Sequence, residues 1–208
     1  MNGYDALVLA GGRASRLGGR DKPGMVVGGI PMIERVATAV ADASRLIVVG
    51  PPRPGLGRAI FRREDPPGGG PVPALRAGLT EVTAPWVALL AADLPLLTGE
   101  HVSALFGAAG AGDGTSGGAD RSEDGAAGAL GPGHHGPGGA VLVDDEGRRQ
   151  WLAGVWRTAV LAEALAAYEG RSLRGLLAPL EPVQVRLAGE PWFDCDTLDD
   201  LEHVRSGS

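Results

Sequence analysis

Ala6-Leu7-Val8-Leu9-Ala10-Gly11-Gly12 is a short, uninterrupted apolar run that stops at two glycines. A run of this length without polar alternation reads as a strand buried on both faces, as in a parallel sheet, and the glycines read as a tight loop after it. The pattern repeats outward from there. Ile30 to Ala43 carries Met32, Ile33, Val36 and Val40 at close to helical spacing, and Leu46 to Val49 (LIVV) is a second strand ending at Gly50-Pro51. Residues 59–61 are a weaker strand candidate, Leu75 and Leu79 mark a helix, and Trp86 to Ala92 (WVALLAA) is a buried strand ending at Asp93. Thr98 is placed to cap a helix through His101, Leu105 and Phe106. Ala140 to Val143 and Trp151 to Trp156 resume the apolar pattern, Val160 to Tyr168 reads as a helix, and Ser172 as the cap for Leu173 to Leu177. Val183 to Leu187 alternates like a half-exposed strand, and Thr197 and Asp200 have capping-box spacing for a last helix, Leu198 to Val204. Short apolar runs alternating with helices predict an α/β fold with a mostly parallel sheet, in which ligands collect beyond the carboxyl ends of the strands.

The 208 residues fit one domain spanning 1–208. Within it, 20 of the 33 residues 107–139 are glycine or alanine, and Leu130 is the sole large aliphatic residue there. So little apolar area cannot offset the cost of ordering the backbone, about 1–2 kcal/mol per residue, so the stretch is expected to be a flexible insertion. A formal net charge of -6 and the absence of a long basic run argue against a nucleic-acid partner. No stretch approaches the roughly 20 apolar residues that span a bilayer. Cys195 is the only cysteine, which excludes an intramolecular disulfide, and no secretion signal opens the sequence. The expectation is a cytoplasmic protein, monomeric or weakly oligomeric.

Leu9 to Lys22 reads LAGGRASRLGGRDK. Gly11 and Gly12 let the backbone approach a ligand, and successive amides in such a turn converge on phosphate oxygens. Arg13, Arg16, Arg20 and Lys22 place four positive charges within ten residues of an acidic chain, a cluster that calls for an anion. Neither GxGxxG nor GxxxxGK[ST] is present. Lys22 is the only lysine beside 18 arginines, which suggests that its compact three-donor ammonium is needed there. A solvated glycine turn is the competing reading.

Asp93, at the carboxyl end of a buried strand, offers the hard oxygen that Mg2+ takes together with substrate phosphates; alternatively it forms a turn ahead of Pro95. Asp194 and Asp196 point to one side if their segment is extended, and either join Asp93 around a cation or, for Asp196, start the helix that Thr197 caps. Cys195 faces away from them and is read as packing. Asp65 has the acceptors to pair with N1 and the exocyclic amino group of guanine, or it is an exposed acidic turn.

LAGGRASRLGGRDK resembles the nucleotide-binding signature of the molybdenum cofactor guanylyltransferase family, within the wider MobA-like nucleotidyltransferases. The resemblance implies a Rossmann-like three-layer α/β/α sandwich. It implies that Leu9, Ala10, Gly11 and Gly12 line the nucleotide, that Arg16 contacts phosphate, and that Lys22 neutralises charge at the reacting phosphorus. AADLPLL resembles the family's metal-binding motif, which makes Asp93 the Mg2+ ligand. FDCDTLDDL is similar to the family's FxNxNTPxDL, with Asp194 and Asp196 in place of asparagines and Leu198 in place of proline, so that metal and second-substrate roles both stay open for the pair. GPVPA stands where the family has GPLAG. QWLAGVWR resembles QPLxGLYR and GRSLRGLL the basic helix after it, which implies that Gln150, Arg157, Arg171 and Arg174 face the acceptor. The resemblance covers the chain apart from 107–139.

The implied reaction has a terminal phosphate oxygen of molybdopterin, or of the molybdenum cofactor, attack the α-phosphorus of GTP and release pyrophosphate, with Arg16, Lys22 and Asp93 as the catalytic set. Two other readings stay open. One is a CTP-dependent or other MobA-like nucleotidyltransferase acting on a different phosphorylated acceptor, the other a nucleotide-binding protein without turnover.

Overall fold

The run that opens the chain forms β1 (Tyr4–Leu9), whose six residues are all buried. This computed structural model describes residues 3–11, 21–110, 137–195 and 200. After β1 come the short strands β2 (Val26–Val27) and β3 (Ile30–Pro31), helix α1 (Met32–Ala39), β4 (Leu46–Val49), β5 (Ala59–Arg62), α2 (Pro71–Leu79) and β6 (Trp86–Ala91). The second half holds α3 (Gly99–Ala108), β7 (Gly139–Val143), β8 (Arg149–Arg157), α4 (Thr158–Ala167), α5 (Leu173–Leu177) and β9 (Val183–Val185). Seven strands form one sheet in the order β5-β4-β1-β6-β8-β7-β9. Its pairings are parallel except that β8 runs antiparallel to both β6 and β7.

Successive side chains of a strand face opposite sides, and β1 shows the consequence. Tyr4, Ala6 and Val8 enter one core with Ile33 and Val36 of α1 and Val102 and Leu105 of α3. Leu7 and Leu9 enter the other with Val72 and Leu75 of α2, Leu161 of α4 and Leu176 of α5. Helices therefore cover both faces of a mostly parallel sheet, the three-layer sandwich expected. Among the described residues no helix is long and apolar enough to cross a membrane.

Local chemistry sets the element ends. The Thr98 hydroxyl accepts from the His101 amide while the His101 ring accepts from the Thr98 amide, closing a capping box on α3. The Ser172 hydroxyl accepts from the Gly175 amide at the start of α5. The helix expected from Ile30 begins instead at Met32, because Ile30 and Pro31 pair with Val26 and Val27 as a hairpin around Gly28-Gly29, both at positive φ. The strand expected to reach Leu187 ends at Val185.

The limits 107 and 139 drawn from composition fall inside packed structure. Helix α3 extends to Ala108, Ala109 is buried behind it, and Gly139 begins β7. A Cβ on Gly139 would fall 2.3 Å from the Val155 carbonyl oxygen, so this glycine serves close strand approach. Residues 111–136 lie outside the described set, as do Thr197 and, apart from Asp200, the residues of the helix expected over Leu198 to Val204.

Candidate active site

Parallel pairing brings the ends of β1, β4, β5 and β6 to one edge of the sheet. The zipper continues past the strands: the Ala10 amide donates to the Val49 carbonyl at 2.9 Å, and the Ala92 amide to the Leu9 carbonyl at 3.2 Å. Leu9 and Ala10 are consequently buried, and Gly11 emerges at the edge. A Cβ on Gly50 would stand 3.0 Å from that of Ala10, so the loop after β4 crosses close to the one after β1.

Lys22 opens a single 3-10 turn, Lys22–Gly24. Its Nζ lies 2.5 Å from Asp93 Oδ2, with the side chains only 15% and 20% exposed. Two residues 71 positions apart thus meet where the sheet topology places ligands. The third segment arrives through Cys195, whose amide donates to the Asp93 carbonyl at 3.4 Å. Cys195 packs with Val27 and Met32 in a small apolar cluster joined by Met25, Leu96 and Phe193. Burial pushes its thiol up to about 11; the Asp200 carboxylate adds to the shift and Lys22 opposes it. Packing is thus its role, as expected. Asp194, one residue earlier, is exposed, and Asp196 lies outside the described residues, as do Gly12 and Arg16.

The remaining expected residues separate. Asp65 is exposed and lines a cleft of about 690 Å3 with Val72, Arg76, Tyr168 and Arg171, between α2 and the α4–α5 connection. Arg171 therefore accompanies Asp65. Arg174 is exposed on α5. Gln150 is anchored, its side-chain amide donating to Asp144 Oδ2 at 3.1 Å. Arg157 stands apart from these residues. Because β8 is antiparallel, Arg157 pairs with Trp86 at the start of β6, and its guanidinium sits 4.7 Å from the Trp86 ring centroid. At about 3.3 Å per residue, that is roughly 20 Å along the strand direction from Asp93.

Three features at the edge escaped sequence reasoning. The Glu64 carboxylate faces Gly11, 3.6 Å from where a Cβ would stand, and accepts from the Gly68 amide at 3.1 Å. Arg53 grips Asp21 through two hydrogen bonds, each 2.5 Å. The hairpin over 26–31 packs Val27 beside Met32 and Cys195. Only the hairpin carried a local signal, two short β-branched stretches around Gly-Gly. Among the described residues no group of three or more His, Cys, Asp or Glu side chains is arranged to cage a metal. The site offers the Asp93 carboxylate as a hard oxygen donor, and it is paired with the Lys22 ammonium.

The MobA-like NTP transferase domain matches residues 6–185. A probable molybdenum cofactor guanylyltransferase from Haloferax mediterranei is 35% identical over 114 residues, 50% of this chain and 54% of that protein. The chain thus spans about half the length of the curated relatives it matches. Among solved structures, molybdopterin-guanine dinucleotide biosynthesis protein A from Archaeoglobus fulgidus aligns over 97% of both chains with a TM-score of 0.66 and 17% identity. The 2-C-methyl-D-erythritol 4-phosphate cytidylyltransferase from Thermus thermophilus aligns over 98% of both with a TM-score of 0.64 and 19% identity. At these identities the structural likeness is one of fold.

Proposed function

The chain belongs to the MobA-like NTP transferase family, and from that premise we propose that it transfers GMP from GTP to the terminal phosphate of molybdopterin or the molybdenum cofactor, releasing pyrophosphate. The observation that carries the reading is the Lys22–Asp93 pair just past the carboxyl end of β6. An acceptor phosphate is ionised near neutral pH and needs little help from a base, so the enzyme's task is to place it in line with the α-phosphorus and to counter charge on the transferring and leaving oxygens. Lys22 supplies a compact positive charge, and Arg16 is assigned to the triphosphate. As the P–O bond to the acceptor forms, the bond to the β-phosphate breaks and pyrophosphate leaves with its electron pair.

Asp93 is the proposed ligand of Mg2+, with Asp194 or Asp196 assisting it or meeting the acceptor. The fit rests on a carboxylate that already receives a cation's charge in the Lys22 ammonium. When bound, Mg2+ would supply charge neutralisation on the triphosphate. The acidic residues Glu64 and Asp65, after β5, have the acceptors that guanine N1–H and its amino group require. The compartment proposed is the cytoplasm, where nucleoside triphosphate is supplied.

Pyrophosphate release measured with GTP, CTP, ATP and UTP against a panel of phosphorylated acceptors tests the reading. Release restricted to GTP with molybdopterin is the expected result. CTP dependence would replace guanylyl by cytidylyl transfer, and release from no combination would leave a nucleotide-binding protein.

A further inference from the structure

Lys22 has a long, flexible stem, so the position of its ammonium depends on how firmly the backbone beneath it is held. The adjacent residue provides an anchor. Asp21 Oδ1 and Oδ2 accept from Arg53 Nη2 and Nη1, each at 2.5 Å, in the two-pronged geometry that fixes orientation as well as distance. The Arg53 side chain is only 13% exposed, and its Nε is buried with no hydrogen-bond partner among the described residues, so the carboxylate is what offsets burial of this charge. Gly24 shows how closely the turn wraps the pair. A Cβ there would stand 2.3 Å from Asp21 Oδ2 and 3.0 Å from Arg53 Nη1. The Gly24 amide closes the turn on the Asp21 carbonyl at 3.1 Å, and the Met25 amide bonds the Lys22 carbonyl at 3.0 Å.

Arg53 is itself held by the fold. It lies just past β4, whose register against β1 is fixed by four residue pairs, and its carbonyl accepts from the amide of buried Leu56 at 3.2 Å. A connected path therefore runs from the sheet through β4, Arg53 and Asp21 to Lys22 and Asp93. We propose that Asp21 and Arg53 are positioning residues that hold Lys22 in register for reaction. Asp21 is largely exposed, so Arg53→Ala removes the buried charge and leaves behind only a carboxylate open to water. A displacement of about 1 Å at a reacting group is sufficient to cost on the order of 100-fold in rate. The proposal rests on the reading of Lys22 as a group that acts on phosphate.

Lys22 is the only lysine, so amine labelling read by peptide mass spectrometry reports on its ammonium directly, separately from the chain's amino terminus and without any need for turnover. In Arg53→Ala and in the isosteric Asp21→Asn, the labelling rate of Lys22 should rise on the order of 10-fold as its contact with Asp93 loosens and the amine spends more time open to the reagent. Turnover should drop about 10- to 100-fold with the nucleotide KM little changed. Asp21→Glu should recover part of the loss, while in a Lys22→Ala background Arg53→Ala should cost no more than about 2-fold further. Unchanged labelling in both clamp variants would overturn the proposal, as would an equal fractional loss of turnover with and without Lys22. Normal turnover in Lys22→Ala would overturn the phosphate role of Lys22 first and the clamp's purpose with it, an outcome distinct from a failed clamp beneath an essential lysine.

Discussion

Lys22 and Asp93, 71 positions apart in the sequence, meet as an ammonium against a carboxylate just past the carboxyl end of β6. Lys22→Ala should lower turnover by about 100-fold or more with the far-ultraviolet circular dichroism unchanged, the order expected when a fixed charge is removed from a transition state. Lys22→Arg should also be impaired, since a planar fork cannot take the place of a compact ammonium against Asp93. Wild-type turnover in both variants would remove the lysine from the chemistry. Arg53 and Glu64 were not legible, because nothing in PPRPG or RRED tells where those side chains point. Asp144 is similar: DDEGR reads as a polar turn, yet its first aspartate is buried. Its carboxylate accepts from the amides of Glu146 and Arg148 and from the side chains of Arg148 and Gln150. The Arg148 hydrogen bond, chiefly, holds it below the usual carboxylate range. A depressed pKa in the folded state contributes stability above the ordinary carboxylate value near 3.8, and that contribution is lost as pH falls toward the folded value. The urea midpoint of Asp144→Asn should therefore lie below wild type by a constant amount from about pH 7 to 5, and the gap should narrow below about pH 4. A gap independent of pH down to 3 would show that the charge does not matter.

Elements were legible where the apolar pattern is continuous and obscure where it is shared. LIVV and WVALLAA can only be buried strands in a chain of this kind, and both are. Ile30 and Pro31 instead extend the spacing of α1 backward, and two-residue strands carry too few positions to show a period, so the hairpin is visible only through its Gly-Gly turn. Composition misplaced the insertion limits for a related reason. Glycine and alanine signal weak packing when they stand in solvent, but they are also what a crowded contact selects, as at Ala109 and Gly139. Gly78 makes this point testable. It lies in α2, where a Cβ would stand 2.3 Å from Leu7 Cδ1 and 2.8 Å from Val49 Cγ2, both on fully buried side chains of β1 and β4. Replacing a helical glycine by alanine gains about 1 kcal/mol of intrinsic propensity, whereas forcing a methyl into a filled core costs about 1–3 kcal/mol. Gly78→Ala should therefore leave the protein less stable in urea denaturation. A stabilised variant would mean that α2 has room to lift from the sheet.

At the scale of the whole molecule, one antiparallel strand decides which ends of the chain's segments can cooperate. Four parallel strands deliver Gly11, Arg53, Glu64 and Asp93 to a common edge from positions spread over 83 residues. Local pattern supports such a reading because every parallel strand exits on the same side. It gives no direction for β8, whose sequence is equally apolar either way round, so Gln150 and Arg157 look like two parts of one surface although they stand at opposite ends of the same strand. Gln150 lies one residue into β8 near the carboxyl edge; Arg157 ends it beside Trp86, whose ring also meets Phe106 edge-on at 6.1 Å. The guanidinium there covers the ring of a buried tryptophan, an interaction of about 0.5–2 kcal/mol that depends on charge over a π face. Arg157→Ala should accordingly lower the urea midpoint while leaving kcat and the KM for the acceptor within about 2-fold of wild type, since a charge roughly 20 Å from the reacting groups is largely screened at ordinary salt. Arg157→Lys should retain part of the stability, because an ammonium also favours the ring face. Steady-state kinetics and urea denaturation on the same preparations separate the two effects: a raised acceptor KM with unchanged stability would return Arg157 to the acceptor surface, and would require an acceptor that reaches the amino end of β6.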